Sequence, residues 1–412
     1  MASLQARHTR KCKIVRARAE AKARAGKPGG VTLWTSFTDA TKAAGCTCKP
    51  AYFVALRHGG KLIYEPAGPN RKEAERLLDA RRGDIARRTF RVVRDIRFDE
   101  WGDEWLSGFT GKPSSRLVYS HSIAYGKQTF GAVKVRDLTN ADVRRFLETI
   151  RRAYIERHPA KKDEPQREVS QATLAKHLRQ LGACLQAAVT EGYATENPVR
   201  GLHKTARPKV PKSRPAYFTD PELARLWPEL AYRPVMLALC KTAVGTGARL
   251  GELAALRWDD VDLLSGELHI ARSFTEGFGE TPPKSGQPRT IDLTPPAAKV
   301  LEGWFAESGG DGLVFEREEG GHLTSGYMLR RVLIPALERA GIPRVGEQGG
   351  TRDFHSFRHT FARIALEGGA EITWVQRQLG HSSIGLTVDT YGHWSRAAQK
   401  AQAKKLARAF KL

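Results

Sequence analysis

The feature that most limits how this chain can fold is the stretch from His203 to Ala216. Pro208, Pro211 and Pro215 interrupt any regular element there, and Lys204, Arg207, Lys209, Lys212 and Arg214 keep it solvated. Proline stiffens such a segment and like charges extend it, so residues 203–216 read as a basic tether between separately folded modules. A length of 412 residues leaves room for several cores, since domains cluster near about 100 to 150 residues.

Upstream of the tether the pattern changes twice. Residues 1–30 are rich in Lys and Arg, with Glu20 as their one acid, and end in Lys27-Pro28-Gly29-Gly30. They read as a flexible basic arm, disordered or ordered by DNA. Residues 31–92 read as a small α+β domain. Tyr52, Val54 and Leu56 alternate, His58-Gly59-Gly60-Lys61 turns, and Leu62-Ile63-Tyr64 returns as the second strand of a hairpin. Asn70 then caps a helix with Glu73 at its third position and Ala74, Leu77, Leu78 and Ile85 on one stripe. Such a module is either a DNA reader or simply a small basic domain.

Residues 93–202 read as an all-helical unit. Trp101, Trp105, Leu106 and Phe109 give one apolar face, followed by a Gly111-Lys112-Pro113-Ser114 loop. A capped helix starts near Leu138-Thr139-Asn140 and runs to Ile150. Leu174, Leu178, Leu181, Leu185 and Val189 mark another, which stops at Gly192.

Residues 217–412 form the third module, mixed but mostly helical with a small β-sheet. Thr219-Asp220-Pro221-Glu222 is a capping box with Pro in the first turn, and Met236 to Val244 is apolar enough for a central helix. Arg249 follows the Gly245-Thr246-Gly247 turn at a helix start. Leu268–Ser273 and Arg289–Leu293 read as strands, with Lys284 in their connection. Ser395 to Phe410 reads as a final helix or a frayed basic tail.

Lys plus Arg exceeds Asp plus Glu by 68 − 44 = +24, with a pI near 10.0. A field of that size concentrates polyanions, with nucleic acid first and an anionic membrane surface or acidic proteins as weaker alternatives. No run of about 18 apolar residues and no secretory h-region is present, so the expectation is a soluble intracellular protein; the Arg-rich start has a superficial likeness to a transit peptide. Five cysteines, an odd number, fit a reducing compartment better than a disulfide framework. Cys46-Thr47-Cys48 is the one close pair. With Cys12 or His58 it offers partial zinc-ligand character, without the usual spacing or a clear fourth ligand.

The C-terminal third carries groups suited to breaking a phosphodiester. That reaction needs a nucleophile, cations on the nonbridging oxygens and an acid for the leaving alkoxide. Tyr391 follows a Gly- and His-containing turn and offers the nucleophile, provided neighbouring cations and imidazoles lower its pKa or take its proton. Arg249 and Arg358 offer forks that grip phosphate bidentately. His355 and Arg358, three apart on a helix, project to one side. His355 and His359 have the spacing of metal ligands, but lack the Glu of a zinc-protease helix and lie beside an Arg. Lys284, on a flexible connection, is suited to protonate the leaving 5′ oxygen.

Taken in order, several motifs resemble the tyrosine recombinase (phage integrase) family. They are Thr246-Gly247-Ala248-Arg249 with Glu252-Leu253, Leu256 to Asp262, His355-x-x-Arg358-His359-Thr360-Phe361-Ala362, Leu379-Gly380-His381-Ser382-Ser383 and Thr390-Tyr391-x-His393. The resemblance implies that Arg249 and Arg358 clamp the scissile phosphate, that His355 and His381 assist proton transfer and oxygen contacts, and that Lys284 is the general acid. Tyr391 would then become linked to the 3′ phosphate, while Glu252 supports Arg249. Neither metal nor cofactor is implied. Ser356 stands where members often carry an acid, and Ala248 where they carry a bulkier apolar residue, which bears on rate more than on mechanism.

The resemblance further implies an arm-type DNA-binding domain at 31–92, a core-binding domain at 93–202 and a catalytic domain with a C-terminal tail at 217–412. The implied partners are double-stranded attachment-site DNA, a homotetramer on that DNA, and a directionality factor or DNA-bending protein; the implied setting is the nucleoid of a prokaryotic cytoplasm. A type IB topoisomerase and a DNA-binding regulator with an idle site remain as alternatives.

Overall fold

The computed structural model describes residues 2–8, 12, 15–17, 20, 34–36, 48–58, 61–87, 95–160, 165–211, 215–284, 286–347 and 349–395. It divides into two compact units. One comprises Met1–Thr110 with Tyr119–Pro208, the other Gly111–Val118 with Lys209–Leu412, so one break falls inside the Pro-rich stretch. No helix among the described residues is long and apolar enough to cross a membrane. The architecture is mostly helical with small sheets, as the sequence reading expects.

The first unit opens with strand β1 (Ala2–Arg7), which pairs antiparallel with β2 (Trp34–Ser36) on one side and β3 (Ala51–His58) on the other. The reading of residues 1–30 as a flexible arm therefore fails at its start. Leu4 and Ala6 alternate inward and are buried, and that alternation draws the segment into the sheet. β3 and β4 (Lys61–Gly68) form the expected hairpin, giving the order β2-β1-β3-β4. Helix α1 (Arg71–Ala86) is capped by Asn70, which accepts from Lys72 N, and buries Ala74 and Leu78 against Leu4, Val54 and Leu56. Ile85, expected on the same stripe, is exposed.

The helical part of this unit contains α2 (Phe98–Ser107), the part of α3 (Pro113–Phe130) from Tyr119 onward, α4 (Asn140–Arg157) and α5 (Gln171–Glu191). Thr139 and Asp142 form a reciprocal capping box at the start of α4, and α5 ends at Gly192 with φ of 84°. Sequence reading missed α3 because its apolar stripe is broken by Gly126. That glycine is a packing requirement: a Cβ there would stand 2.5 Å from the Phe98 ring, which fills the space.

In the second unit Thr219 and Glu222 cap α6 (Asp220–Leu226), and α7 (Pro234–Thr246) runs through the core. α7 ends at Gly247, φ 67°, where a Cβ would lie 2.5 Å from Phe361. Only glycine allows this turn, and it delivers Arg249 to the start of α8 (Leu250–Ala254). The sheet is smaller and more divided than expected: β5 (Val261–Asp262), β6 (Glu267–Ile270) and β9 (Arg289–Asp292) pair antiparallel, while β7 (Ser273–Thr275) and β8 (Gly279–Thr281) form a separate hairpin. Lys284 lies on the β8–β9 connection. After α9 (Pro295–Ser308) and the helical segment 325–339, α10, whose middle Met328–Leu333 is π-helical, come α11 (His355–Glu367), α12 (Ile372–Leu379) and α13 (Ile384–Tyr391). The proposed tail from 396 onward lies outside the described residues.

Candidate active site

The site forms where the ends of α7 and α12 meet α8 and α11. Arg358 on α11 is 1% exposed, and its guanidinium donates to Gly247 O at 2.7 Å and to Leu379 O at 2.6 Å. Each acceptor lies at a helix C-terminus, where carbonyls lack intrahelical partners and a cation is favoured. Arg358 thus ties two helix ends together. Its Nε is buried without a partner. Burial, then the Arg249 charge, lowers its pKa to about 9, which leaves it charged at neutral pH.

A second cation cluster surrounds Glu252. Its carboxylate is 1% exposed and accepts from Arg249 Nη1 at 2.9 Å and from Arg289 Nη1 and Nη2 at 2.9 and 2.8 Å. Burial alone would raise its pKa; the bonds and charges of Arg289 and Arg249 outweigh that and hold it at about 2. Arg249 also reaches Gly380 O at 3.4 Å. Gly380 ends α12 with φ of 60°, and a Cβ there would meet Arg289 Nε at 2.7 Å, so this turn and the Arg289 side chain occupy one tight space. Three guanidinium groups therefore converge with one carboxylate between them, leaving positive charge for an incoming anion.

Imidazoles and the phenol lie beside this cluster. On α11, His355, Arg358 and His359 share a face by their spacing of three and four. The His355 and His359 rings meet edge to face at 4.8 Å. Although part of its surface faces solvent, His355 is pushed down to about 4, first by the desolvation of its ring and then by Arg358, with Arg249 and Lys284 adding to the effect. Burial and the nearby His355 and Arg358 lower His359 to about 3. His381 is lowered to about 4 by burial and by Arg358 and Arg249, and its Nδ1 lies 2.8 Å from Thr387 Oγ1.

Tyr391, at the end of α13, is 1% exposed. Its ring is near-parallel to that of His381 at 6.2 Å and to that of Trp394 at 5.4 Å. Its hydroxyl is 2.6 Å from His359 Nδ1. The expectation that neighbouring cations would draw the phenol pKa down is reversed. Burial raises it to about 12, and Arg358 and Arg249 offset only part of that rise.

The structure thus gathers Arg249, Glu252, His355, Arg358, His381 and Tyr391, with the exposed Lys284 near enough for its charge to act on His355. Two further members went unmarked in sequence. In sequence Arg289 reads only as the start of a strand, and His359 as a motif residue with metal-ligand spacing to His355 but no assigned role. The metal reading of His355 with His359 gains no third ligand among the described residues. A strand-end Arg facing a buried Glu carries no local signal; the Arg358-His359 pair does, because adjacent helical positions flanking His355 must straddle the same face.

The model described as the phage integrase family matches residues 222–397. Residues 222–397 are a segment of that family. Prophage integrase IntR of Escherichia coli is 29% identical over 250 residues, covering 54% of this chain and 57% of the relative, so the chain spans little more than half of that protein's length. Among solved structures, residues 82–397 of the Tn1549 transposon integrase in complex with circular intermediate DNA superpose with a TM-score of 0.60 at 16% identity, over 76% of this chain and 100% of the other. A lambda integrase tetramer bound to a Holliday junction gives 0.56 at 19%, over 84% and 93%. At these identities the likeness is one of fold. Within the phage integrase segment lie all the arginines, histidines and the tyrosine of the cluster.

Proposed function

We propose that this chain is a site-specific DNA recombinase of the phage integrase family that cuts and rejoins duplex DNA through a 3′-phosphotyrosine to integrate or excise a mobile element. The observation that carries this reading is the convergence of Arg249, Arg289 and Arg358 with a tyrosine whose hydroxyl is already hydrogen-bonded to an imidazole.

Arg249 and Arg358 hold the nonbridging oxygens of the scissile phosphate, and Glu252 with Arg289 fixes Arg249 in place. The Tyr391 oxygen attacks phosphorus, the bond to the 5′ oxygen breaks, and Lys284 delivers a proton to that oxygen. The phenolic proton passes to an imidazole, for which His359 is the nearest acceptor; His355 and His381 contact the phosphate oxygens and assist proton transfer. Attack by the 5′ hydroxyl of a second strand releases the phenol. Each step exchanges one phosphodiester for another, so no nucleotide is consumed.

Because Tyr391 is 1% exposed, attack requires α13 to shift when DNA binds. The free protein is the resting form, with its phenol protonated and shielded. The divisions at 31–92, 93–202 and 217–412 are the arm-type, core-binding and catalytic domains on this reading. Double-stranded attachment sites, assembly as a tetramer on DNA, a directionality factor or DNA-bending protein, and a place on the nucleoid of a prokaryotic cell complete it.

Covalent capture tests the proposal. The protein is incubated with DNA spanning its own gene and flanks, denatured, and peptide-linked DNA is mapped, with Tyr391→Phe in parallel. A 3′ adduct absent from the variant supports the reading, and strand exchange separates recombination from topoisomerase-like relaxation. Tight binding with no adduct on nicked substrates, even with host extract, would point to a regulator with an idle site.

A further inference from the structure

We infer that the N-terminal module holds a zinc ion on His8, Cys12 and Cys48. The three ligands come from separated parts of the chain that the sheet brings together. β1 and β3 pair so that Arg7 faces Ala51, which sets the exit of β1 beside the entry to β3. His8 directly follows β1, Cys12 is four residues further on, and Cys48 precedes β3. One ligand atom from each lies within 4.8 Å of the others.

The distances fit the ion. His8 Nδ1 is 3.3 Å from Cys48 Sγ and 3.7 Å from Cys12 Sγ. In a tetrahedron with Zn–S of about 2.3 Å and Zn–N of about 2.0–2.1 Å, the N···S edge is about 3.6 Å. The cluster therefore already has the dimensions of a zinc site. Two thiols and an imidazole suit zinc and disfavour magnesium, calcium or manganese, which take oxygen donors. His8 and Cys12 are buried, 3% and 0% exposed, so the ion would be shielded on that side.

The placement also revises what sequence spacing allows. Of the two companions considered for Cys48, Cys12 is present and His58 is excluded. His58 is seven residues beyond Ala51 at the far end of β3, a separation of about 23 Å at ~3.3 Å per residue. His8 takes its role. Cys46, two positions before Cys48 in sequence, lies outside the described residues.

Such an ion has a structural task. The core under this sheet is small, with Leu4, Val54, Leu56, Ala74 and Leu78 as its buried members among the described residues. Cores of this size are commonly stapled by a metal. Here the ion would lock the end of β1 to the start of β3, making the N-terminal module's fold metal-dependent whatever the catalytic domain does.

The test uses full-length protein expressed with added zinc and purified with a phosphine reductant and no chelator. Metal content is measured by mass spectrometry, and the zinc is then exchanged for cobalt(II). The expected result is about one zinc per chain, with thiolate-to-cobalt charge-transfer bands and the strong visible bands of a tetrahedral site. His8→Ala, Cys12→Ser and Cys48→Ser should each lose the metal, whereas Cys184→Ala, in the helical part, should keep it. Should a variant fail to fold, the wild-type cobalt spectrum still decides. Chelation of wild-type protein should expose the N-terminal module to protease while sparing the catalytic domain. Zinc far below stoichiometric with no cobalt bands, metal retained by both cysteine variants, or a disulfide among these sulfurs with no metal uptake after reduction would overturn the inference.

Discussion

His359 Nδ1 lies 2.6 Å from the Tyr391 hydroxyl. Burial drives the two groups apart in acidity, lowering the imidazole to about 3 and raising the phenol to about 12. In the free protein the proton therefore stays on the phenol, and the pair stores an orientation rather than a reactive phenolate. On the proposed mechanism, DNA binding would have to change the surroundings of both groups before the bond could serve proton transfer.

His359→Phe keeps a ring of similar size and removes the acceptor. Single-turnover cleavage of a nicked attachment-site duplex is expected to slow by about 10²-fold, in the range lost with a general acid–base group. DNA affinity measured by gel shift should stay near wild type. Unchanged cleavage would remove His359 from the reaction.

Tyr391→Phe should abolish the covalent adduct while leaving the fold intact. The ring and its stacking on Trp394 and His381 are retained, and the loss is one buried hydrogen bond, about 1 kcal/mol. A denaturant melt beside the capture assay checks both halves.

Glu252 separates two guanidinium groups that would otherwise face each other across a buried space. Glu252→Gln leaves Arg249 and Arg289 without their counter-charge, and a destabilisation of about 3–5 kcal/mol is expected. The carboxylate's folded-state pKa of about 2 lies below the ordinary 4.5. Its stabilisation is therefore full above about pH 4.5 and lost as pH falls through about 2. Melting temperature followed against pH should show this acid-side loss in wild type and not in the variant.

The histidines of the candidate site predict a second transition, at higher pH than that of Glu252. His355 and His381 are lowered from 6.5 to about 4, and His359 to about 3. The unfolded chain takes up protons first, so stability is full above about pH 6.5 and falls between there and about pH 3, where the last of the three, His359, is protonated in the folded chain. In the DNA-free protein, NMR titration should find these imidazoles neutral at pH 6; a midpoint near 6.5 would contradict the desolvated site.

Arg289→Lys keeps the charge but loses the paired donors to Glu252. With Arg249 less firmly placed, cleavage is expected to fall about tenfold or more with little change in DNA affinity. Equal rates would make Arg289 a purely structural partner.

Much of this molecule could be read before its structure. The capped helices after Asn70, Thr139 and Thr219, the stop of another at Gly192, and the hairpin at 51–64 are short-range features set by glycine and side-chain caps acting on their own neighbours. The motifs that mark Arg249, His355, Arg358, His381 and Tyr391 as candidates are local, so these side chains could be picked out along the chain; the structure brings them together. Tertiary structure alone decided what those groups experience. That Ala2–Arg7 is a strand depends on β2 and β3, and the joining of Arg289 to Glu252, 37 residues apart, depends on the turn at Gly380. The raised phenol pKa of Tyr391 follows from desolvation, which is a sum over everything packed around the ring. No residue pattern along the chain contains that sum, since burial and long-range charge exist only once distant segments meet.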